Sequence, residues 1–217
     1  MILVLIPTKP TLHSALMYRS VCAEARMLAA NSNVQVVREF GGSDVGLDPK
    51  RDVTGIGSLE CVDVRMAHLA PIRQAMVEKH LRDEHSHVMW LDADVCDYPA
   101  DLPAMLTDVS HSDIVAPAVY HEGHGDMWHD IAGFVENGKW FKSFPPYCKQ
   151  TQDVVFLDSV GAVHIVPADV YRNGGNHRLY KGYTDHYSVC QDAISQGRRV
   201  LCDMRIPTYH ADLSKYL

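Results

Sequence analysis

The sequence predicts an α/β protein built on an open sheet, and three observations carry that expectation. Strand and helix signals alternate through the first half of the chain, the strand signals are short, and one of them runs directly into acidic residues. The 217 residues are 47% hydrophobic and 22% charged, ordinary globular proportions with ample material for a core. That length suits a single domain spanning 1–217, and no internal repeat, low-complexity tract or linker divides it.

Met1 to Ile6 runs into Pro7 and Thr8 and reads as a first strand that stops abruptly. It has no basic leader and is far too short for a signal peptide or a membrane span. His13 to Ala30 holds helix formers, with Leu16, Val21, Ala25 and Leu28 at helical spacing. "VQVV" at 34–37 is a short β run. Residues 41–58, with five glycines and three aspartates, read as a loop. Val62 to Leu81 is helical again, 87–91 is a strand, and "DIVAPAV" at 113–119 is another. The order is that of an open α/β sheet, whose ligands gather at the carboxyl ends of the strands.

The second half is less regular. Residues 120–150, rich in histidine, glycine and aromatics, form a long excursion over one face. "SVGAVHIVPADVYRNGG" at 159–175 predicts a strand and then a short helix that starts after Pro167 and ends at two glycines. "TDHYSVCQDAISQG" at 184–197 predicts a helix closed by Gly197, and "RRVLCDM" returns to a strand.

The acidic run stands in "HVMWLDADV", 87–95, where an apolar strand ends in Asp92 and Asp94. Two carboxylates at a buried strand end are costly unless a positive charge sits between them. A divalent cation is the natural partner, since hard oxygen ligands suit magnesium or manganese. One aspartate then binds the ion, while the other reaches a ribose hydroxyl or the same ion through water. Such an ion would neutralise a diphosphate leaving group in a group transfer. The competing reading of Asp-x-Asp is a solvated turn or a helix cap.

Other signals exclude or point less far. The net charge of −7 leaves no broad basic surface for nucleic acid. Six scattered cysteines make no Cys-x-x-Cys pair and read as reduced thiols of a cytoplasmic protein. His121, His124 and His129 lie on a glycine-rich stretch without a fixed element to set a tetrahedral zinc site, and read as a solvated or acceptor-contacting loop. Trp128 and Trp140 suit sugar stacking and core packing equally.

"MWLDADV", preceded by a helix with "IRQAM" and followed by "DIVAPAV", resembles the nucleotide-sugar half of GT-A glycosyltransferases. "DSVGAVHIVPADVYRNGG" and "TDHYSVCQDAISQGRRVLCDMRIPTYHADL" are similar to the acceptor half of that fold. The nearest resemblance is to yeast mannan-polymerase-type mannosyltransferases and to small glycosyltransferases of large algal viruses. It implies a Rossmann-like open mixed sheet flanked by helices, with 1–119 holding the nucleotide sugar and 120–217 the acceptor. It also implies a manganese or magnesium ion, a nucleoside-diphosphate sugar (uridine ahead of guanosine), a glycan or other hydroxyl acceptor, and the host cytoplasm if the protein is viral.

Carried over by residue, the resemblance makes Asp92 and Asp94 the ion-binding pair, Asp94 the more direct. Pro7 and Thr8 would lie against base and ribose, with Asp44 a further contact to the base. Arg73, or Arg65 eight residues earlier on the same helix, would approach the diphosphate or sugar, the competing role being a surface salt bridge. Asp185 would be the general base for the acceptor or a helix N-cap. Gly161 would let a sugar approach the backbone. His210, in "PTYHAD", would return to the acidic pair as a third ligand, or be an exposed tail histidine. Two other functions compete: an aspartate-nucleophile phosphatase, and a non-catalytic module that binds nucleotide sugar or glycan.

Overall fold

The computed structural model describes residues 1–9, 12–40, 59–123, 128–129, 133–140, 153–180, 182–212 and 215. The predicted loop at 41–58 lies outside the described residues, together with Asp44.

The first strand, β1 (Ile2–Thr8), is buried along nearly all its length, as its unbroken apolar run requires of a central strand. Helix α1 (Ser14–Ala30) begins where the His13 ring accepts the Ala15 amide, and leads into β2 (Val34–Phe40), which pairs parallel to β1. Helix α2 (Leu59–His80) contains Pro71, and returns the chain to β3 (His87–Leu91), parallel to β1 on its other side. Then come β4 (Val95–Asp97), α3 (Leu102–Val109) and β5 (Ile114–His121). The second half adds β6 (Val135–Glu136), β7 (Lys139–Trp140), β8 (Val154–Leu157), β9 (Val163–Pro167), α4 (Ala168–Arg172), α5 (Asp185–Ser195) and β10 (Val200–His210).

The main sheet has eight strands in the order β2-β1-β3-β9-β5-β10-β4, with β8 also on β10. It is open and mixed, as the resemblance implied. β9 runs antiparallel to both β3 and β5, so β1, β3, β5 and β10 still point the same way. Their carboxyl ends therefore reach one rim, which collects Thr8, Asp92, His121 and His210. All five residues of β3 and of β9 are buried, which gives the core its centre.

Four short strands, β4, β6, β7 and β8, were not predicted. β10 pairs parallel with β5 over its length, and its opposite edge is divided between β8 at its start and β4 at its end. The register on β5 shifts between Asp203 and Pro207, where proline has no amide proton to donate to the ladder. The β6–β7 hairpin turns at Asn137 (φ 51°) and Gly138 (φ 70°), the pair of left-handed residues that a two-residue hairpin turn needs. Among the described residues, no helix is long and apolar enough to cross a membrane.

The two glycines after α4 stop it as predicted. Gly174 has φ 93°, and a Cβ on Gly175 would stand 2.8 Å from both the carbonyl oxygen and Cγ1 of Val170. Gly175→Ala should therefore cost about 1–3 kcal/mol through overpacking. A lower urea midpoint with an unchanged m-value would report this; an unchanged midpoint would show that the turn yields freely.

Candidate active site

Arg73 is the hub of the rim. Carried by α2, its guanidinium is 3% exposed and lies between two carboxylates. Nη2 donates to Asp92 Oδ1 at 2.7 Å, and Nε lies 2.8 Å from Asp185 Oδ2. Its Cζ also stands 5.0 Å from the centroid of the Trp90 ring, a cation–π contact. Burial works against this charge, but the Asp92 and Asp185 carboxylates outweigh it and hold the guanidinium above even its ordinary pKa. Asp92 follows β3 directly; its amide donates to Ala162 O and its carbonyl accepts the Val95 amide, so the chain turns there. That turn carries Asp94 to the other side of the rim.

Asp94 meets His210. The Oδ2 to Nε2 distance is 3.1 Å, although the two residues come from opposite halves of the sequence. The Ala211 amide donates to Asp94 O at 2.8 Å, and His210 Nδ1 donates to Ala211 O at 2.8 Å, which fixes the ring. Burial presses this imidazole downward, but the charge and hydrogen bond of Asp94, then the Ala211 carbonyl and Asp92, raise it to about 8. An exposed tail histidine is excluded, because His210 is buried.

Two of the histidines read as a solvated or acceptor-contacting loop, His121 and His129, stand against this wall. His129 stacks on His210, centroids 3.5 Å apart at 15°, and His121 meets His129 edge-on at 4.5 Å. His124 lies outside the described residues. No spacing rule would have found this, since it depends on the end of β5 lying beside the end of β10. Trp128 is buried against Phe134 and Tyr120, which resolves its two readings in favour of the core.

The remaining expected residues are distributed as follows. Thr8 ends β1 and is buried; its hydroxyl donates to Ile6 O and accepts from Arg38 Nη1 at 3.1 Å. Arg38, absent from the sequence-based candidates, also binds Ser20 and Glu24 and so braces the end of β1. Pro7 is half-buried beside it. Gly161 accepts from His164 Nδ1 at 2.7 Å, next to the Ala162 carbonyl that holds Asp92. The side chain of Arg65 is outside what is described.

Two of the expected residues are engaged with each other inside the protein. Arg73 turns Nη2 to Asp92, whose side chain is a quarter exposed, and Nε to the buried Asp185, while Nη1 is buried without a hydrogen-bond partner among the described residues. Asp185, expected as the base for the acceptor or as a helix cap, is buried. It opens α5, yet it is 1% exposed with Oδ2 against Arg73 and 3.7 Å from His177 Nδ1. Thr184 at the N-cap makes no side-chain capping bond. Deeper still, His164, His177 and His186 crowd beneath Trp90. Burial first, and then the Arg73 charge, push His177 and His186 far below the usual imidazole range.

The Anp1 family model matches residues 32–143, just over half of the chain. No curated protein sequence matches the chain. Among solved structures, residues 1–349 of S. aureus TarS superimpose with a TM-score of 0.58 at 11% identity, covering 99% of this chain and 61% of that one. The chain thus spans less than two thirds of the TarS fragment. A UDP-glucose pyrophosphorylase complexed with UDP-glucose superimposes with a TM-score of 0.52 at 9% identity, covering 96% of this chain and 92% of that one. These likenesses are to the fold, and the fold is GT-A.

The hub can be tested without any ligand. Arg73→Leu should lose about 3–5 kcal/mol, because it leaves Asp185 buried without its counter-charge. Arg73→Leu combined with Asp185→Leu should regain much of that loss, as urea denaturation would show. A double variant no better than the single would mean that the pair is not coupled.

His210 predicts a pH dependence in the metal-free protein. Its folded pKa of about 8 lies above an unfolded value of about 6.5. The stability it contributes, at most about 2 kcal/mol, is complete below about pH 6.5 and lost as the pH rises through about 8. Because Asp94 is partly open to solvent, the observed effect should fall below that ceiling. Asp94→Asn should flatten this part of the urea-denaturation profile.

Proposed function

Because the chain belongs to the Anp1 family, we propose that it is a metal-dependent glycosyltransferase that moves a sugar from a nucleoside-diphosphate sugar to a glycan or other hydroxyl acceptor. The observation that carries this reading is the Asp94–His210 contact at the strand rim. A carboxylate and an imidazole, set 3.1 Å apart by backbone bonds on both sides, fit a divalent cation once the proton between them has left. The nitrogen donor suits manganese better than magnesium. Asp94 and His210 would hold the ion directly; Asp92, kept in place by Arg73, would reach it through water or take a ribose hydroxyl. When bound, such an ion supplies charge neutralisation for the departing diphosphate.

The chain's own residues do the rest. Pro7 and Thr8, at the end of β1, form the floor for base and ribose, with Asp44 a further base contact. Gly161 leaves backbone open beside the sugar. Arg73 acts as a positioning residue that aims Asp92, and Asp185 anchors Arg73. Uridine diphosphate is the favoured carrier, ahead of guanosine diphosphate; the UDP-glucose named in the pyrophosphorylase complex supports a uridine site on this fold. Residues 1–119 would bind the donor and 120–217 the acceptor within one domain, with His210 crossing back to the donor side. The described cysteines Cys22, Cys96, Cys190 and Cys202 are free thiols, in keeping with a cytoplasmic protein. The phosphatase reading gains no support, since Asp92 follows β3 and its carboxylate is held by Arg73.

A panel of uridine and guanosine nucleotide sugars, assayed for manganese-dependent binding and hydrolysis, tests the proposal. One donor should bind and hydrolyse slowly only with the ion present. Asp94→Ala should abolish manganese-dependent donor affinity in calorimetry with the fold intact, and His210→Ala should weaken it. Binding without turnover of any donor or acceptor would leave a binding module; undiminished manganese-dependent affinity in Asp94→Ala would remove this site.

A further inference from the structure

Across Arg73 from Asp92, a second group of ligating side chains is sealed beneath the Trp90 ring. His177, His186 and Asp185 each offer one ligand atom, and those atoms all lie within 4.8 Å of one another. None of the three residues is more than 4% exposed. A further imidazole, His164, is wholly buried and meets the His186 ring edge-on at 4.5 Å.

The orientation of the rings is informative. His177 Nε2 is 3.0 Å from Tyr171 Oη, which also receives the Trp90 indole N–H at 2.8 Å. His164 donates from Nδ1 to Gly161 O at 2.7 Å. Two imidazoles are thus gripped at one nitrogen by fixed groups, the usual way a ligating histidine is oriented by its surroundings. The other nitrogens are His177 Nδ1 and His164 Nε2. Like His186 Nδ1, they are buried without a hydrogen-bond partner among the described residues. One such atom is tolerable in a folded protein; three on rings that pack against one another call for a common cause.

We propose that His177, His186 and Asp185 form a buried divalent-metal site, separate from Asp94 and His210, whose ligand set suits zinc, with His164 as the nearest additional donor. Two imidazole nitrogens and a carboxylate oxygen match zinc, whereas magnesium and calcium prefer oxygen alone. The neutral imidazoles carry no charge against the ion. Asp92 and Asp185 together exceed the single Arg73 charge, so a dication is not introduced into an already positive centre. Coordination at His177 Nδ1 places the ring proton on Nε2, which then donates to Tyr171 Oη. Tetrahedral zinc sets its ligand atoms about 3.4 Å apart, so modest side-chain rotations close the site. A metal here would join α5 to the segment after α4, and would share Asp185 with Arg73.

Zinc and cobalt(II) are the probes, used on the chain carrying Asp94→Ala so that the Asp94–His210 pair at the rim is broken. The chelator-stripped protein should take up one equivalent of zinc, shown by competition with a chromogenic chelator and by elemental analysis. Cobalt(II) should give the intense visible absorption of a tetrahedral nitrogen–oxygen site. Adding His186→Ala should abolish both signals, and so should His177→Gln, a milder change that serves if the first variant fails its circular-dichroism control. Zinc should also raise the thermal midpoint of the Asp94→Ala protein and leave that of the His186 variant unmoved. No stoichiometric zinc uptake in Asp94→Ala, or uptake that survives substitution of both His177 and His186, overturns the proposal. Neither result depends on sugar transfer.

Discussion

A buried guanidinium is expensive, and the rim of this sheet is organised around the cost of keeping one. Arg73 is stable in the interior because Asp92, Asp185 and the Trp90 face surround it. Each partner belongs to a different element: Asp92 follows β3, Trp90 lies within it, and Asp185 begins α5. One side chain on α2 therefore fixes where a helix from the second half meets the strand that presents the acidic pair. It also distinguishes two aspartates that look equivalent in sequence. Asp92 is held by Arg73, and Asp94 meets His210.

The strand order makes this arrangement possible. An antiparallel β9 between β3 and β5 brings the loop before it, with Gly161 and Ala162, to the same rim as the ends of the parallel strands. That loop then holds Asp92 through Ala162 and His164 through Gly161. A purely parallel sheet would have put a helix start there instead. The mixed order thus supplies backbone carbonyls where the acidic turn needs them, and a histidine-lined space behind Arg73.

Long periodic elements and the acidic strand end were legible because they depend on local pattern. β3 spans the predicted 87–91, and α1 forms where a helix was predicted, although it buries Leu16, Ser20, Ala23 and Met27 while Val21, Ala25 and Leu28 of the predicted spacing are exposed. His210 was placed beside Asp94 by resemblance, and the geometry agrees. β4 and β8 were not legible: strands of three and four residues carry too little periodicity, and both exist because β10 offers them an edge. The burial of Arg73 and Asp185 was hidden for a related reason. A charged residue reads as surface until its opposite charge, over a hundred positions away, is known to share its site. The Asn137–Gly138 hairpin was a local signal passed over within a stretch taken as irregular.

The Asp94–His210 contact has a temporal side as well. Its carboxylate lies before the midpoint of the chain and its imidazole in the last strand, and the two are joined only when Ala211 bonds to Asp94 and β10 pairs with β4. During synthesis on the ribosome, the strands that carry Asp92 and Asp94 emerge long before that partner exists. Until β10 docks, Asp94 lacks the His210 imidazole beside which it would hold an ion. Any ion-dependent activity at this rim would therefore begin only after the sheet is complete.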